Sequence, residues 1–218
     1  MCLSNLESKI QNEKGRLIVS TPALAPAWRP EVVPGERIFL SQVCREDLPL
    51  FARWFSDLEL TAYLGLAGMS FMPEHEQEWY DSVVKNRDQK TFAIVVREGQ
   101  RLIGSIGFHP VDARRGVTEL GVAIGDKSAW GQGYGSEAVR LICDYGFTFL
   151  GLHTIYLWHV AFNQRGHHAY LKAGFKQAGR IRGAELFDGQ RYDRILMDIT
   201  REDFGPSRLG GMIGQLQD

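Results

Sequence analysis

The fold expected of this chain is decided by the stretch Trp130-Gly131-Gln132-Gly133-Tyr134-Gly135-Ser136, which lies between a strand-like apolar run and a helix-like amphipathic run. Because glycine lacks a Cβ, Gly131, Gly133 and Gly135 allow the backbone amides of this loop to turn toward one point. The N-terminus of the following helix adds unpaired N–H groups and the positive end of the helix dipole. The stretch therefore predicts a binding site for an anionic group, although a glycine-rich turn that only links a strand to a helix would share the pattern.

Two familiar phosphate-binding motifs do not fit this loop. A nucleoside-triphosphate loop requires Lys and then Ser or Thr after its last glycine, whereas Gly135 is followed by Ser136 and Glu137. A dinucleotide fingerprint places its third glycine where Ser136 stands and an acidic residue about 20 positions later. The chain has no Asp or Glu between Asp144 and Glu185. A ligand bound through its pyrophosphate, without a carboxylate on its ribose, is therefore a better candidate than NAD or FAD.

The composition is that of one globular domain without a dominant charge. The chain has 218 residues, of which 44% are hydrophobic and 23% are charged, and its formal net charge is −1. Such a charge favours neither nucleic acid nor an anionic membrane as a partner. No stretch approaches the ~20 apolar residues of a membrane span, and the N-terminus lacks the pattern of a secretory signal. We therefore expect a soluble, cytoplasmic protein.

Neither a disulfide framework nor a metal site is expected. The three cysteines are far apart and show no metal-ligand spacing: Cys2, Cys44 and Cys143. His159 and the pair His167-His168 lack a separated third ligand or a carboxylate cluster, so surface or core histidines explain them better than metal binding.

Proline and glycine mark the ends of the chain. Prolines recur within a short window near the N-terminus: Pro22, Pro26, Pro30 and Pro34. We expect an N-terminal extension or arm with little packed structure over residues 1–35, one domain over residues 36–203, and a flexible C-terminal tail over residues 204–218.

Hydrophobic periodicity predicts a mixed order of strands and helices. Strands are predicted over residues 37–43, 92–96, 102–108, 118–124, 155–161, 176–181 and 194–200. Helices are predicted to begin at Arg45, at Pro73, after the glycine loop and at Gly166. Residues 155–161 are almost continuously apolar, so we expect this strand to be buried on both faces and parallel to 118–124, across a right-handed crossover.

The helix predicted at Pro73 begins with the acidic residues Glu74, Glu76 and Glu78. Carboxylates near a helix N-terminus are stabilised by the helix dipole, which explains these charges without a ligand. The same charges could attract an amine.

Four motifs resemble those of the GCN5-related N-acetyltransferase (GNAT) superfamily, most closely its RimJ/RimL-like subgroup, over roughly residues 36–203. They occur in the family's order and approximate spacing: Leu102-Ile103-Gly104-Ser105-Ile106-Gly107-Phe108, Glu119-Leu120-Gly121, Trp130 to Ala138, and Tyr170-Leu171-Lys172-Ala173-Gly174-Phe175. The resemblance implies an α/β fold, with a mixed, twisted sheet of about seven strands, flanking helices and a central parallel pair that splays to admit acetyl-CoA.

The resemblance also implies the activity. An acyltransferase of this kind moves an acetyl group from acetyl-CoA to a primary amine, which is a protein N-terminus in the Rim-type enzymes and a small molecule in similar sequences. The resemblance leaves open whether the protein forms a homodimer. A non-catalytic acyl-CoA-sensing module is the alternative from another class, and an interaction protein that acts through its proline-containing arm is a further one.

The resemblance assigns a set of residues to acetyl-CoA. The loop amides would bind the pyrophosphate, which involves Trp130, Gly131, Gln132, Gly133, Tyr134, Gly135 and Ser136. Backbone groups of Leu120 and Val122 would pair with the pantetheine amides as an added strand does. Asn163, which has both a donor and an acceptor, would bind the pantetheine arm, and a turn-capping asparagine is the alternative. Arg165 would meet the adenosine phosphates or be solvated.

Two residues are the candidates for proton transfer. An aliphatic amine has a pKa of about 10, and only its neutral form can attack the thioester, so a base must accept a proton. By analogy with the family, Glu119 is that base, directly or through water; the alternative is a structural carboxylate paired with Arg114 or Arg115. Tyr170 stands where the superfamily often places a tyrosine that donates a proton to the CoA sulfur, and the alternative is a core tyrosine. No cysteine is well placed to carry an acyl group, so direct transfer in a ternary complex is expected.

Overall fold

The computed structural model describes residues 10–11, 17–18, 29–69, 72–86, 90–111 and 114–211. Its strands are β1 Ile10–Gln11, β2 Leu17–Ile18, β3 Val33–Pro34, β4 Ile38–Gln42, β5 Lys90–Val96, β6 Arg101–Phe108, β7 Val117–Ile124, β8 Thr154–Val160, β9 Lys176–Phe187 and β10 Gln190–Thr200. Its α-helices are α1 Leu48–Phe55, α2 Leu58–Tyr63, α3 Pro73–Lys85, α4 Tyr134–Phe149, α5 Gln164–Ala173 and α6 Arg201–Phe204, and single 3₁₀ turns occur at Arg45–Asp47, Glu98–Gln100 and Lys127–Ala129. None of the helices in these ranges is long and apolar enough to cross a membrane.

One mixed sheet of eight strands organises the domain, in the order β3-β4-β5-β6-β7-β8-β10-β9. Only β7 and β8 are parallel neighbours in this sheet. Helix α4 connects them, which is the predicted crossover. The sequence indicated about seven strands. The additional one is β3, in which Val33 and Pro34 pair with Leu40 and Phe39.

The parallel pair separates after three residue pairs. Val117, Thr118 and Glu119 of β7 face Thr154, Ile155 and Tyr156 of β8. Beyond Glu119, β7 is paired only with β6, and β8 is paired with β10 along its whole length. The two strands therefore leave a gap in the middle of the sheet, which confirms the predicted splayed pair.

Both faces of the sheet are covered, and successive strand residues alternate between them. On β4, Ile38 and Leu40 belong to a core shared with α4, whereas Phe39 points to a second core. Phe51 of α1 packs in that second core, and Trp79 of α3 meets its ring edge-on at 5.7 Å. Burial on both faces explains why the inner strands are continuously apolar.

Helix α4 is fastened to the sheet by a carboxylate at its start. The Glu137 carboxylate accepts hydrogen bonds from the backbone N–H groups of Glu36 and Arg37, both at 2.9 Å, and from Ile38 at 3.3 Å. Because Glu137 lies in the first turn after the glycine loop, these bonds fix that loop relative to β4.

The C-terminal segment is packed as far as Leu209, so the expected flexible tail is wrong for its first residues. The buried Asp144 carboxylate of α4 accepts hydrogen bonds from Ser207 Oγ at 2.5 Å and from the backbone N–H of Arg208 at 2.8 Å. Leu209 and Phe204 are buried in the main core. Residues 212–218 of the predicted tail lie outside the described residues.

The predicted N-terminal arm also contains packed residues. Arg29 is 3% exposed and forms an ion pair with the buried Asp47, with a second bond from Nη1 to Oδ2 at 3.1 Å. With Val33 and Pro34 in the sheet, residues 29–34 are part of the domain, and the expectation of a loose arm is wrong there. Residues 1–9, 12–16 and 19–28 of that prediction lie outside the described residues.

Removal of the Asp47 carboxylate should destabilise the domain strongly. In Asp47→Ala, the Arg29 guanidinium would stay buried without its counter-ion, and its Nε already has no hydrogen-bond partner. We expect a loss of about 3–5 kcal/mol in the free energy of unfolding, measured by urea denaturation. The control is Lys176→Ala, which removes an ion pair with Asp203 whose lysine is 67% exposed and should cost less than about 1 kcal/mol. Equal losses would mean that the buried pair does not stabilise the fold.

Candidate active site

A cleft of about 830 Å³ opens where β7 and β8 separate. It is bounded by β6 and β7, the glycine loop, α5 and the helices α1 to α3. Most of the residues predicted for the site line it: Glu119, Leu120, Val122, Trp130, Gly131, Gly133, Gly135, Ser136, Asn163, Arg165 and Tyr170. Residues that are far apart in sequence are therefore brought to one place.

Strand β7 presents an open backbone edge to this cleft. The N–H of His109 donates to the carbonyl oxygen of Glu119 at 3.0 Å, so Glu119 directs its backbone groups toward β6. Along an antiparallel ladder, the backbone N–H and C=O groups of successive residues point to opposite sides of the strand. Those of Leu120 and Val122 therefore point away from β6, toward the gap. An extended amide-containing chain can pair with these groups as an added strand would.

The glycine loop ends in a helix N-terminus whose N-cap residue, Gly133, has no side chain to cap it. Gly131 and Gly133 have φ values of 74° and 84°, a conformation that favours glycine, and Gly133 is the N-cap of α4. The first helical hydrogen bond runs from the Glu137 N–H to the Gly133 carbonyl at 3.1 Å. The N–H groups of Tyr134, Gly135 and Ser136 therefore have no intrahelical acceptor and are available to an anion.

The side chains of Gln132 and Tyr134 do not line the cleft, in contrast to the other predicted loop residues. The Arg37 guanidinium donates to the Gln132 carbonyl at 2.9 Å and lies 4.9 Å from the centre of the Tyr134 ring. Arg37 also pairs with Glu137. These two residues can therefore contribute only backbone groups to a ligand in the cleft. Arg37 contacts the loop on the side away from the cleft.

Trp130 and Arg165 are stacked beside the loop. The indole N–H of Trp130 donates to the Ile124 carbonyl at 2.7 Å, which ties the loop to the end of β7. The Arg165 guanidinium lies 3.7 Å from the Trp130 ring centre and 4.8 Å from that of Tyr63. The indole N–H is thus used within the protein, and the stack places a cation next to the glycine loop.

Asn163 caps the start of α5, which was the alternative to a contact with the pantetheine arm. Its Oδ1 accepts from the Gly166 N–H at 2.9 Å at the start of α5, and its Nδ2 donates to the Tyr63 carbonyl at 3.2 Å. A Cβ at position 166 would come within 2.9 Å of the Asn163 side chain, so a larger residue there would displace this cap. Contact between Asn163 and the pantetheine arm stays a prediction.

Glu119 lies at the point where the strands separate, half-buried and opposite Tyr156 of β8. Burial and the neighbouring Glu119 carboxylate raise the pKa of Tyr156, so the phenol keeps its proton. The Tyr156 hydroxyl is therefore a potential hydrogen-bond donor beside the Glu119 carboxylate. Arg114 and Arg115, the predicted alternative partners, are exposed in the turn before β7.

Sequence reasoning missed Tyr156 and His109 as site residues. His109 directly follows β6 and lines the cleft, and its Nε2 would lie 3.7 Å from a Cβ placed on Gly121. Both residues are cross-strand neighbours of Glu119. The predicted parallel pairing of β7 with β8 was the signal that could have identified Tyr156.

Tyr170 is buried at the base of the cleft. Burial raises its pKa to about 12, so the phenol stays protonated at neutral pH. The ring centres of Tyr170 and His159 are 5.7 Å apart, and His159 is hydrogen-bonded to His167 at 3.1 Å. Burial lowers the pKa of His159 and favours its neutral form. The described residues contain no group of three or more His, Cys, Asp or Glu side chains that could hold a metal ion.

Comparisons with known proteins place this geometry in a family. The model of the acetyltransferase (GNAT) domain matches residues 37–176. An N-acetyltransferase of Bacillus licheniformis called p20, whose function is uncharacterized, is 26% identical over 176 residues, or 80% of this chain and 98% of that one. The spermidine N(1)-acetyltransferase of Escherichia coli K12 is 28% identical over 127 residues, or 57% of this chain and 66% of that one.

A solved structure shares the fold. The spermidine N-acetyltransferase of Vibrio cholerae, in complex with CoA and spermine, matches with a TM-score of 0.71 at 20% identity and covers 78% of this chain and 99% of that one. The RimJ/RimL-like subgroup is not confirmed by these relatives. The family model covers most of the domain that contains the cleft, and the chain therefore belongs to the GNAT family of acetyl-CoA-dependent N-acetyltransferases.

Proposed function

We propose that the chain transfers the acetyl group of acetyl-CoA directly to the primary amine of a small cationic acceptor. The observation that carries this proposal is the gap between β7 and β8, which has an uncapped helix N-terminus on one side and the Glu119 carboxylate where the strands part. An anionic cofactor and a cationic acceptor thus have separate places in one cleft.

The residues present fit acetyl-CoA, which supplies the acetyl group as a thioester. The amides of Gly135 and Ser136, with the dipole of α4, would bind the pyrophosphate. The open backbone groups of Leu120 and Val122 would hold the pantetheine amides, and Arg165 would face the adenosine phosphates.

Glu119 would accept the proton that the acceptor amine loses. The amine nitrogen forms a bond to the carbonyl carbon as the bond from that carbon to sulfur breaks, and the nitrogen must shed a proton for this to occur. Tyr156 would orient the carboxylate through a hydrogen bond. His109 is a second cleft residue whose imidazole can serve as a base.

Tyr170 would return a proton to the departing sulfur. Its pKa of about 12 lies above the value of about 8.5 for a free thiol, so the transfer is uphill for a solvated thiolate. The burial that weakens the phenol as an acid also makes a thiolate beside it more basic. The two pKa values therefore approach each other when the sulfur lies next to Tyr170.

Direct transfer is favoured because no cysteine lines the cleft among the described residues. Cys143 is fully buried within α4, and burial raises the pKa of its thiol far above the usual range. Cys44 lies before α1, outside the cleft, and Cys2 lies outside the described residues. An acyl-cysteine intermediate thus has no support.

A small amine is favoured over a protein N-terminus because several relatives are named spermidine N-acetyltransferases. The RimJ/RimL-like resemblance is what supports a protein N-terminus. The acyl-CoA-sensing alternative gains nothing from the relatives, which are named as transferases. A homodimer and a cytoplasmic location stay predictions.

Glu119→Gln should lower turnover by about a hundred-fold or more at pH 7 and leave the binding of acetyl-CoA unchanged. The defect should shrink as the pH rises toward the amine pKa of about 10, because free amine then forms without a base. Thiol release over a pH series measures this, with Glu98→Gln, an exposed turn residue, as the control. If His109→Gln shows this pH-dependent loss and Glu119→Gln does not, the base is His109.

Tyr170→Phe should slow thiol release by about ten-fold or more, because the sulfur loses its proton donor. Tyr145→Phe is the matched control, since Tyr145 is partly buried against Phe92 and does not line the cleft. Single-turnover measurements with saturating acceptor separate this step from binding. An unchanged rate in Tyr170→Phe would remove the assignment.

Gly135→Ala should weaken acetyl-CoA binding without weakening the fold. The nearest atom to a Cβ at this position is Ile124 Cγ1 at 3.8 Å, so a methyl group fits the free protein, yet it would stand where the pyrophosphate approaches. We expect at least about a ten-fold rise in the KM for acetyl-CoA with an unchanged Tm. Gly211→Ala, at an open position away from the cleft, is the control. An unchanged KM would exclude close approach of the ligand to Gly135.

A further inference from the structure

Glu76 is a second carboxylate in the wall of the cleft. It lies in the first turn of α3, and its side chain points to the interior, so that the residue is only 5% exposed. In the described part of the chain, the acidic side chains that line the cleft are those of Glu76 and Glu119.

No described group neutralises or hydrogen-bonds the Glu76 carboxylate. The other buried carboxylates have partners, since Asp47 is paired with Arg29 and Asp144 accepts several hydrogen bonds. The charge that acts on Glu76 is that of His75, an exposed residue, and its effect is smaller than that of burial. Burial raises the pKa of Glu76, because loss of hydration disfavours the charged carboxylate relative to the neutral acid.

The helix dipole does not explain why this carboxylate is buried. Glu74, in the same turn, is exposed and gains the dipole interaction without losing its hydration. Burial of Glu76 costs free energy that no described residue offsets as a partner. A cation that enters the cleft would recover it.

The surroundings of Glu76 suit an aliphatic cation. Trp79 follows it on α3, and with Phe55 and Tyr63 it lines the same cleft, so apolar and aromatic surface is available to a hydrocarbon chain and to an ammonium group. Among the lining arginines and lysines, Arg165 is stacked on Trp130 beside the loop, Lys172 lies on α5, and Arg194 of β10 is paired with Glu185. The lining thus carries a positive charge next to the loop and carboxylates at Glu76 and Glu119.

We propose that Glu76 binds a second cationic group of the acceptor, apart from the amine that loses its proton to Glu119. This inference rests on the proposed function for the reacting amine. It defines the acceptor as an aliphatic diamine or a longer polyamine and makes Glu76 the residue that selects it over a monoamine. The ion pair forms as water leaves both partners, and no covalent step involves Glu76.

The test compares E76Q with the matched control E74Q, which removes an exposed charge from the same turn. Spermidine and 1,4-diaminobutane are the dicationic or polycationic probes, and butylamine is the monoamine. In E76Q, kcat/KM should fall about ten-fold or more for the first two and stay unchanged for butylamine, because a charge-assisted contact is lost. E74Q should behave as the unchanged protein does. Equal effects on all three amines, or none, would overturn the assignment.

Two further measurements separate this inference from a failure to fold and from a failure of the proposed function. The Tm of E76Q should equal or exceed that of the unchanged protein, since a buried charge is removed, and a lower Tm would contradict an unpartnered carboxylate. Calorimetry of spermidine binding to the protein saturated with CoA needs no turnover. If no amine is acetylated, the proposed function fails, while weaker spermidine binding in E76Q than in E74Q still supports the subsite. Equal binding in both variants, or no binding to the unchanged protein, overturns it.

Discussion

The separation of β7 from β8 after Glu119 and Tyr156 is the constraint on which the site depends. A parallel pair in the middle of a sheet normally continues its ladder, because unpaired backbone groups in the interior cost free energy. Here β7 retains β6 and β8 retains β10, so each strand stays paired on one side. The open edges face each other across the cleft. The structure thus keeps a set of unsatisfied backbone groups where an amide-containing ligand can satisfy them.

The separation is flanked on its two sides by elements that follow the carboxyl ends of the parallel strands. On the β7 side, the first turn of α4 is bonded through Glu137 to the backbone of residues 36–38. On the β8 side, Asn163 caps α5 and donates to Tyr63 of α2, which links this side of the cleft to the helices that cover it. The side chains that shape the cleft therefore belong to the scaffold as well as to the site.

Local patterns in the sequence predicted most of this architecture, and long-range contacts account for what they missed. The glycine loop, the crossover and the last two strands each depend on local sequence patterns, and all are present. Strand β3 was missed because Pro34 and the surrounding prolines indicate an extended arm, and only pairing with β4 makes Val33 part of the sheet. The capping role of Asn163 was foreseen as an alternative, whereas the position of Tyr156 opposite Glu119 follows from the pairing of β7 with β8 and was overlooked.

The carboxylates of the domain differ in how many hydrogen bonds and ion pairs the protein provides for them. This difference distinguishes the structural carboxylates from those of the candidate site. Asp144 and Glu137 each accept several hydrogen bonds, and Asp47 has a buried arginine, so these side chains have little capacity left for a ligand. Glu119 has the phenol of Tyr156 beside it on the neighbouring strand, so its carboxylate is less fully satisfied than these. Glu76 has no donor among the described residues although it is buried. Since a buried carboxylate requires compensation, the least satisfied one indicates where the cleft receives a charge that the described residues do not provide.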